Sequence, residues 1–340
     1  MTVRFRSVLT GAVLALALVS GCSSGSAGND ASKLDTIPAA QPATSPPQTA
    51  TPAGTVTSVG VAVSSTIVDQ STRTLVLAAT RPDRLLLLDL DNLAAPARTI
   101  ALPGAAARVQ LAGSGGSVLV ALPKAVARVS TSTGTLALTA VDGDVSAVLQ
   151  LPDGRIAAGL SSGSTLMLGP DGAVQATVGG LAGVDELVRA GTTVLAVDRQ
   201  QTAVAVIDVD KGTLGSALRA GEGATNAVAD QYGRALVADT TGNELLALSS
   251  SPLLLRQRFP VAGAPYGIAY DAATNLVWVT LTATNQVVGL DVKGGEPQER
   301  YRFDTVTQPN SVAVDSAGGV VLVGSATGAG LQRFVPGAAR

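Results

Sequence analysis

Pro265-Tyr-Gly-Ile-Ala-Tyr-Asp271-Ala-Ala-Thr-Asn-Leu-Val-Trp-Val279 is the stretch that decides how this chain folds. An apolar strand closes on Asp271, a short Ala/Thr/Asn turn follows, and a second strand runs from Leu276 to Thr280. The plan recurs at Pro309-Asn-Ser-Val-Ala-Val-Asp315 before Val320 to Val323, and at Asn226-Ala-Val-Ala-Asp230 before Ala235 to Ala238. Upstream it is legible at Thr66 to Asp69 before Leu75 to Ala79, and at Leu149 to Asp153 before Arg155 to Ala158. Fainter copies run from Arg108 to Ala112 and from Glu186 to Ala190. The markers fall near positions 69, 112, 152, 190, 230, 271 and 315, a period of about 40 residues. Short strands repeating at that period are the signature of a β-propeller, one four-stranded blade per unit.

Third strands follow at Arg84 to Asp89, Ala203 to Asp208, Glu244 to Ser249 and Gln286 to Asp291, and more polar fourth strands such as Glu299 to Phe303 complete the units. The expected fold is therefore all-β, a seven-bladed propeller of four-stranded antiparallel blades. A single blade cannot bury both faces, so neighbours must stack and the ring must close. The last unit ends just after its third strand, Gly330 to Val335, and the apolar run Thr55 to Val63 is positioned to supply the fourth. Closure of that kind leaves no free sheet edge. A tandem of β-sandwiches is the rival architecture, but it does not require so even a period.

The N-terminus has a different character. Arg4 and Arg6 precede an apolar stretch from Val8 to Val19, followed by small residues and the only cysteine, Cys22. Twelve such residues suit an export signal and are too few to span a bilayer. The run Val19-Ser20-Gly21-Cys22 resembles the bacterial lipobox, whose cysteine is diacylated and becomes the mature N-terminus. The expected organisation is a signal peptide over 1–21, an acylated Cys22 with a Pro/Ser/Thr tether over 22–54, and a propeller over 55–340. Ser23 to Gly54 has almost no large apolar residue and is expected to be a disordered spacer, with Pro38, Pro42, Pro46, Pro47 and Pro52 favouring extended geometry.

Composition narrows the chemistry. The chain has 23 basic and 25 acidic residues and no histidine. Losing Arg4 and Arg6 with the signal leaves 23 − 2 = 21 basic side chains against 25 acidic ones, which gives no basic face for nucleic acid. Without histidine there is no Ser-His-Asp triad, no His-ligated zinc or haem and no imidazole acid–base catalyst. With Cys22 acylated no thiol remains for a disulfide, so packing alone must hold the domain.

The segments around Asp271 and Asp315 resemble YVTN and NHL-like propeller repeats of secreted bacterial proteins. Together with the lipobox, the whole resembles an actinobacterial, mycobacterial-type conserved lipoprotein carrying a propeller. That resemblance implies a membrane-anchored, extracytoplasmic protein on the outer face of the cytoplasmic membrane. The gluconolactonase-type branch implies a divalent cation in the central channel, held by a Glu of the first blade with later Asn and Asp residues. Here the first glutamate is Glu186, well past the first three units, so the early ligand of that pattern is missing. No metal or other cofactor is expected.

The recurring Asp69, Asp153, Asp230, Asp271 and Asp315 read as turn caps, since Asp bonds the backbone of its own turn. The better recognition candidates are the loops leading into first strands and out of second strands, which share one face around the channel mouth. They carry Asn226, Tyr266 and Asn310 on the way in, and Arg81, Asp83, Asp198, Arg199, Asp239 and Asn285 on the way out. Asn226, Tyr266, Asn310, Asp198 and Asp239 are the expected ligand-binding residues, and Cys22 the lipidation site. The expected function is a non-catalytic, monomeric binding or scaffold module for an envelope protein or a cell-wall ligand. The alternative is a metal-dependent propeller hydrolase or lactonase.

Overall fold

The computed structural model describes residue 2 and residues 35–337; Cys22, the export-type segment before it and the first part of the spacer lie outside the described residues. Among the described residues no helix is long and apolar enough to cross a membrane.

The ring is all β. β1 (Thr55–Thr57) belongs to the last sheet. The first sheet is β2 (Ala62–Asp69), β3 (Thr74–Thr80), β4 (Arg84–Asp89) and β5 (Arg98–Ala101). Next comes a six-stranded sheet of β6 (Arg108–Leu111), β7 (Ser117–Ser130), β8 (Leu136–Gln150), β9 (Ile156–Leu160), β10 (Thr165–Leu168) and β11 (Val174–Val178). The third sheet is β12 (Glu186–Ala190), β13 (Thr193–Asp198), β14 (Ala203–Asp208) and β15 (Thr213–Arg219). The fourth is β16 (Ala224–Ala229), β17 (Arg234–Asp239), β18 (Glu244–Ser250) and β19 (Leu253–Pro260). The fifth is β20 (Pro265–Asp271), β21 (Leu276–Leu281), β22 (Gln286–Asp291) and β23 (Gln298–Asp304). The sixth is β24 (Pro309–Asp315), β25 (Val320–Ser325) and β26 (Leu331–Phe334), with β1 as its outer strand.

Six blades, one of them six-stranded, replace the expected seven of four strands. The sequence units marked near 112 and 152 share one sheet, because no loop interrupts the pairing between them. β7 pairs with β6 through Val118 to Ala121 and with the first half of β8 through Ala125 to Val129. The second half of β8, from Val145 to Gln150, then pairs with β9. Positive φ at Lys124 and Gly143 lets each strand redirect within its length.

Burial follows the distance from the channel axis. The middle strands β21 and β25 are buried at every position, so both faces are covered and the apolar run is continuous rather than alternating. The outermost β15 is exposed at most positions. The inter-blade core is therefore built of Val, Leu and Ala, with one aromatic wedge. Trp278 packs against Tyr301, Phe303 and Phe334, and Phe334 belongs to the neighbouring blade. The ring closes where β1 pairs antiparallel with β26, Val56 opposite Gln332. Only Thr55–Thr57 of the expected Thr55 to Val63 does this; Ala62 and Val63 already belong to β2.

The spacer expectation also needs correction within the described residues. Residues 37–53 lie extended across the loops at one face of the ring. The Ile37 N–H donates to Gln200 O at 2.8 Å, and Ala43 N–H to Thr282 Oγ1 at 3.0 Å. Ser45 N–H donates to Gln308 Oε1 at 3.0 Å, Asn285 Nδ2 to Pro46 O at 2.9 Å, and Ala53 N–H to Asp304 O at 3.0 Å. Prolines deprive this strap of donors and hold it extended, and loop Asn, Gln and Thr side chains satisfy what remains. The strap therefore needs little apolar burial to be ordered.

Candidate functional site

The residues that begin the inner strands converge on a cavity of about 530 Å³ at one end of the central channel. Arg108, Glu186, Asn226, Tyr266 and Asn310 all line it, and each stands within the first three residues of the first strand of its unit. Strand alternation turns these side chains toward the axis, while the next residue faces the blade interior. Ser64, Ser65 and Thr66 of the first sheet and Ser146 of the second supply hydroxyls.

A network of charges and amides organises the wall. Arg108 Nη2 sits 3.1 Å from Glu186 Oε2 and donates to Asn226 Oδ1 at 3.0 Å. Arg199 Nη2 donates to the same Oδ1 at 2.9 Å, and its Nε donates to Thr225 O at 3.0 Å. Asn226 Nδ2 donates in turn to Tyr266 O at 2.9 Å, and the Arg199 guanidinium carbon lies 5.8 Å from the Tyr266 ring centroid. Glu186 is buried, and burial pushes its carboxyl above the usual carboxylate range against the pull of Arg108 and Arg199. Gln110 Nε2 donates to its other oxygen at 3.3 Å. Arg108 Nε is buried with no hydrogen-bond partner among the described residues.

Of the residues expected here, Asn226, Tyr266 and Asn310 are brought together at the cavity. Asn310 Oδ1 accepts from Gln308 Nε2 at 2.9 Å, and Gln308 also donates to Ala43 O of the strap. Asp198 and Asp239 stand elsewhere. Both are fully buried beneath loops. Asp198 accepts from the backbone N–H groups of Ala182, Gly183, Gln200 and Gln201. Asp239 does the same for Glu222, Gly223 and Gly242. Their carboxylates hold loops in shape and do not face the channel. Asn285 is likewise occupied, by Pro46 O and by the Gln308 N–H. Among the described residues no group of three or more His, Cys, Asp and Glu is placed to hold a metal ion.

The recurrent aspartates cap turns. Asp271 accepts from Ala273 N–H and Thr274 Oγ1, and Asp230 from Tyr232 N–H and Arg234 N–H. Arg108 and Glu186 were not singled out in the sequence as site residues. The signal for them was their repeat position, shared with Asn226, Tyr266 and Asn310, in units whose markers are otherwise degenerate.

No family model and no curated protein matches this chain. Among solved structures, the chain is similar to one from Kuenenia stuttgartiensis hydrazine synthase, with TM-score 0.70 and 13% identity over 84% of this chain and 99% of that one. A chain of a mitotic checkpoint complex aligns with TM-score 0.73 and 11% identity, over 96% of this chain and 99% of that one. A catalytically inactive virginiamycin B lyase from Staphylococcus aureus, with quinupristin, aligns with TM-score 0.68 and 12% identity, over 82% and 97%. At such identities a likeness speaks for architecture, and the architecture it shows is the β-propeller.

Proposed function

We propose that this protein is a membrane-anchored, extracytoplasmic lipoprotein whose propeller is a non-catalytic binding module for an envelope protein or a cell-wall ligand. The observation that carries the binding reading is the channel cavity. Side chains from separate blades meet there with a half-buried aromatic and unexhausted polar groups, the composition of a recognition site. A chain of the checkpoint complex, a multiprotein assembly by its description, shares the fold, which fits a module of this kind.

The anchoring reading rests on the lipobox-like run ending at Cys22. The strap is the first described segment after it. Residues 37–53 are bound to loops on the cavity side of the ring. The 34 − 22 = 12 residues between Cys22 and Asp35 reach at most about 40 Å when fully extended.

Photo-crosslinking in intact cells tests the binding reading. A photoreactive residue replacing Ser64, which lines the cavity, should give a discrete adduct. The same residue replacing Tyr232, in the turn between β16 and β17 away from the cavity, should give none. Equal labelling at both positions, or none at Ser64, overturns the reading.

A further inference from the structure

Two guanidinium groups meet on one amide oxygen in the cavity wall, and only one of them has a carboxylate. Arg108 is paired with Glu186 at 3.1 Å. Among the described residues no carboxylate oxygen lies within 4.0 Å of the Arg199 guanidinium. Its partners are Thr225 O, Asn226 Oδ1 and the face of Tyr266, all neutral. Asp185 lines the same cavity, but its Oδ2 accepts from the Arg199 backbone N–H at 2.9 Å. Arg199 is thus a half-buried cation with no carboxylate in direct contact, although Glu186 and Asp185 lie nearby, and its remaining guanidinium N–H groups are donors left over for an acceptor in the cavity.

We propose that the cavity takes a ligand with a single planar carboxylate, held between Arg108 and Arg199, whose hydroxyl or amide groups reach the Ser64, Ser65 and Thr66 side. The inference rests on reading the cavity as a binding site and adds the chemistry of what enters it. Guanidinium groups match carboxylates because their donors lie in one plane at the right spacing, and two of them discriminate an acid from its neutral counterpart. The Tyr266 face beside Arg199 gives the remainder of the ligand an apolar surface. Glu186 and Asp185 in the same wall disfavour a ligand that carries more than one negative charge.

Two sources offer such a group: an acidic sugar, or the free C-terminus of a peptide. Calorimetric titration of the full chain in detergent distinguishes them. Glucuronate is compared with glucose, and acetyl-alanyl-alanine with its C-terminal amide. The expected result is binding of the acid in at least one pair and at least tenfold weaker binding of its neutral counterpart. Arg199→Gln should weaken that acid by about tenfold or more, and Arg199→Lys by less. Both variants retain the backbone N–H bond to Asp185 but alter the side-chain bonds to Thr225 O and Asn226 Oδ1, so their melting temperatures are measured beside the titration, and weakened acid binding counts only where the fold melts as in the parent chain. Binding that is indifferent to Arg199→Gln, equal affinity for acid and neutral partner, or no binding of either acid overturns the proposal. Ala326→Trp separates this failure from that of the underlying reading, because Ala326 lines the cavity. Acid binding that survives the tryptophan places the ligand elsewhere and sinks both. Binding lost with the tryptophan but kept in Arg199→Gln sinks the charge inference alone.

Discussion

Arg73, in the turn between β2 and β3, makes a bidentate ion pair with Asp315 at the end of β24, with contacts of 2.9 and 3.0 Å. The pair bridges the first and last sheets, the place where the ring has to close. Thr66 and Ser311 reinforce the same boundary with a buried hydroxyl contact of 2.7 Å. Covalent continuity from β1 into β2 and this ion pair thus hold the same junction, that of the last sheet with the first.

The pair predicts an acid-sensitive seam. Burial alone would raise the Asp315 carboxyl, but hydrogen bonds from Arg73 and the Gly318 N–H hold it below its ordinary value. A carboxylate depressed in the folded state stabilises above the unfolded value, and that contribution is lost as pH falls through the folded value, here below about pH 4. Asp315→Asn should cost about 1–2 kcal/mol at pH 7, allowing for the solvent around half-exposed Arg73, and the deficit should shrink in acid. Urea melts at pH 7 and pH 3 check it; a deficit that is constant with pH contradicts the assignment.

The aromatic wedge predicts intolerance at a glycine. A Cβ on Gly289 would lie 2.8 Å from Trp278 Cη2. That ring cannot retreat, because Tyr301 and Phe303 stack on it with centroids at 5.8 and 6.4 Å. Gly289→Ala should destabilise by about 1–3 kcal/mol. Trp278 is the only tryptophan, so its fluorescence reports this blade boundary directly, and the variant should show a shifted emission before global unfolding. Unchanged emission and midpoint would show that the wedge has room to spare.

Truncation separates the strap from what precedes it. Removing residues 2–34 deletes none of the hydrogen bonds described for the strap and should leave the melting temperature within a degree or two. Removing residues 2–54 strips the bonds to Gln200, Thr282, Gln308 and Asn285 while sparing β1, and should lower it measurably. Extending the deletion through Thr57 also bares the edge of β26, so aggregation on heating should appear only then. Identical melting of all three forms argues against both the strap and the closure as stabilising contacts.

Tyr266 separates recognition from packing. Its side chain lines the cavity half-buried, and the bond from Asn226 uses its backbone oxygen, which substitution keeps. Tyr266→Ala should therefore move the melting midpoint little while weakening any cavity ligand by about 1–3 kcal/mol. A large loss of stability would make this residue part of the blade core.

The lipid reading has its own test. Cys22→Ser should move the protein from the detergent phase to the aqueous phase, or leave it as an uncleaved precursor, since stable anchoring needs more than one acyl chain. Persistent detergent partitioning of the processed variant removes the anchor.

The sequence by itself determined the propeller. The strand–Asp–turn–strand beat around Asp271 and Asp315 is local chemistry: β-branched and small apolar residues fit a pleated, covered surface, and Asp closes its own turn. It also placed Asn226, Tyr266 and Asn310 on one rim, because position in a repeat maps onto position around an axis. Only the tertiary structure decided the number of sheets, since whether β7 and β8 run on through Lys124 and Gly143 depends on cross-strand pairing and not on composition. It alone turned part of the expected spacer into a strap, because that segment is held by hydrogen bonds to residues more than 150 positions away in sequence, which low hydropathy cannot report. It alone showed that Asp198 and Asp239 are consumed by loop N–H groups, whereas Arg108, Glu186 and Arg199 meet around one amide. Arg108 comes from the second sheet and Glu186 and Arg199 from the third, so only the packing of these sheets against each other brings the three charges within reach.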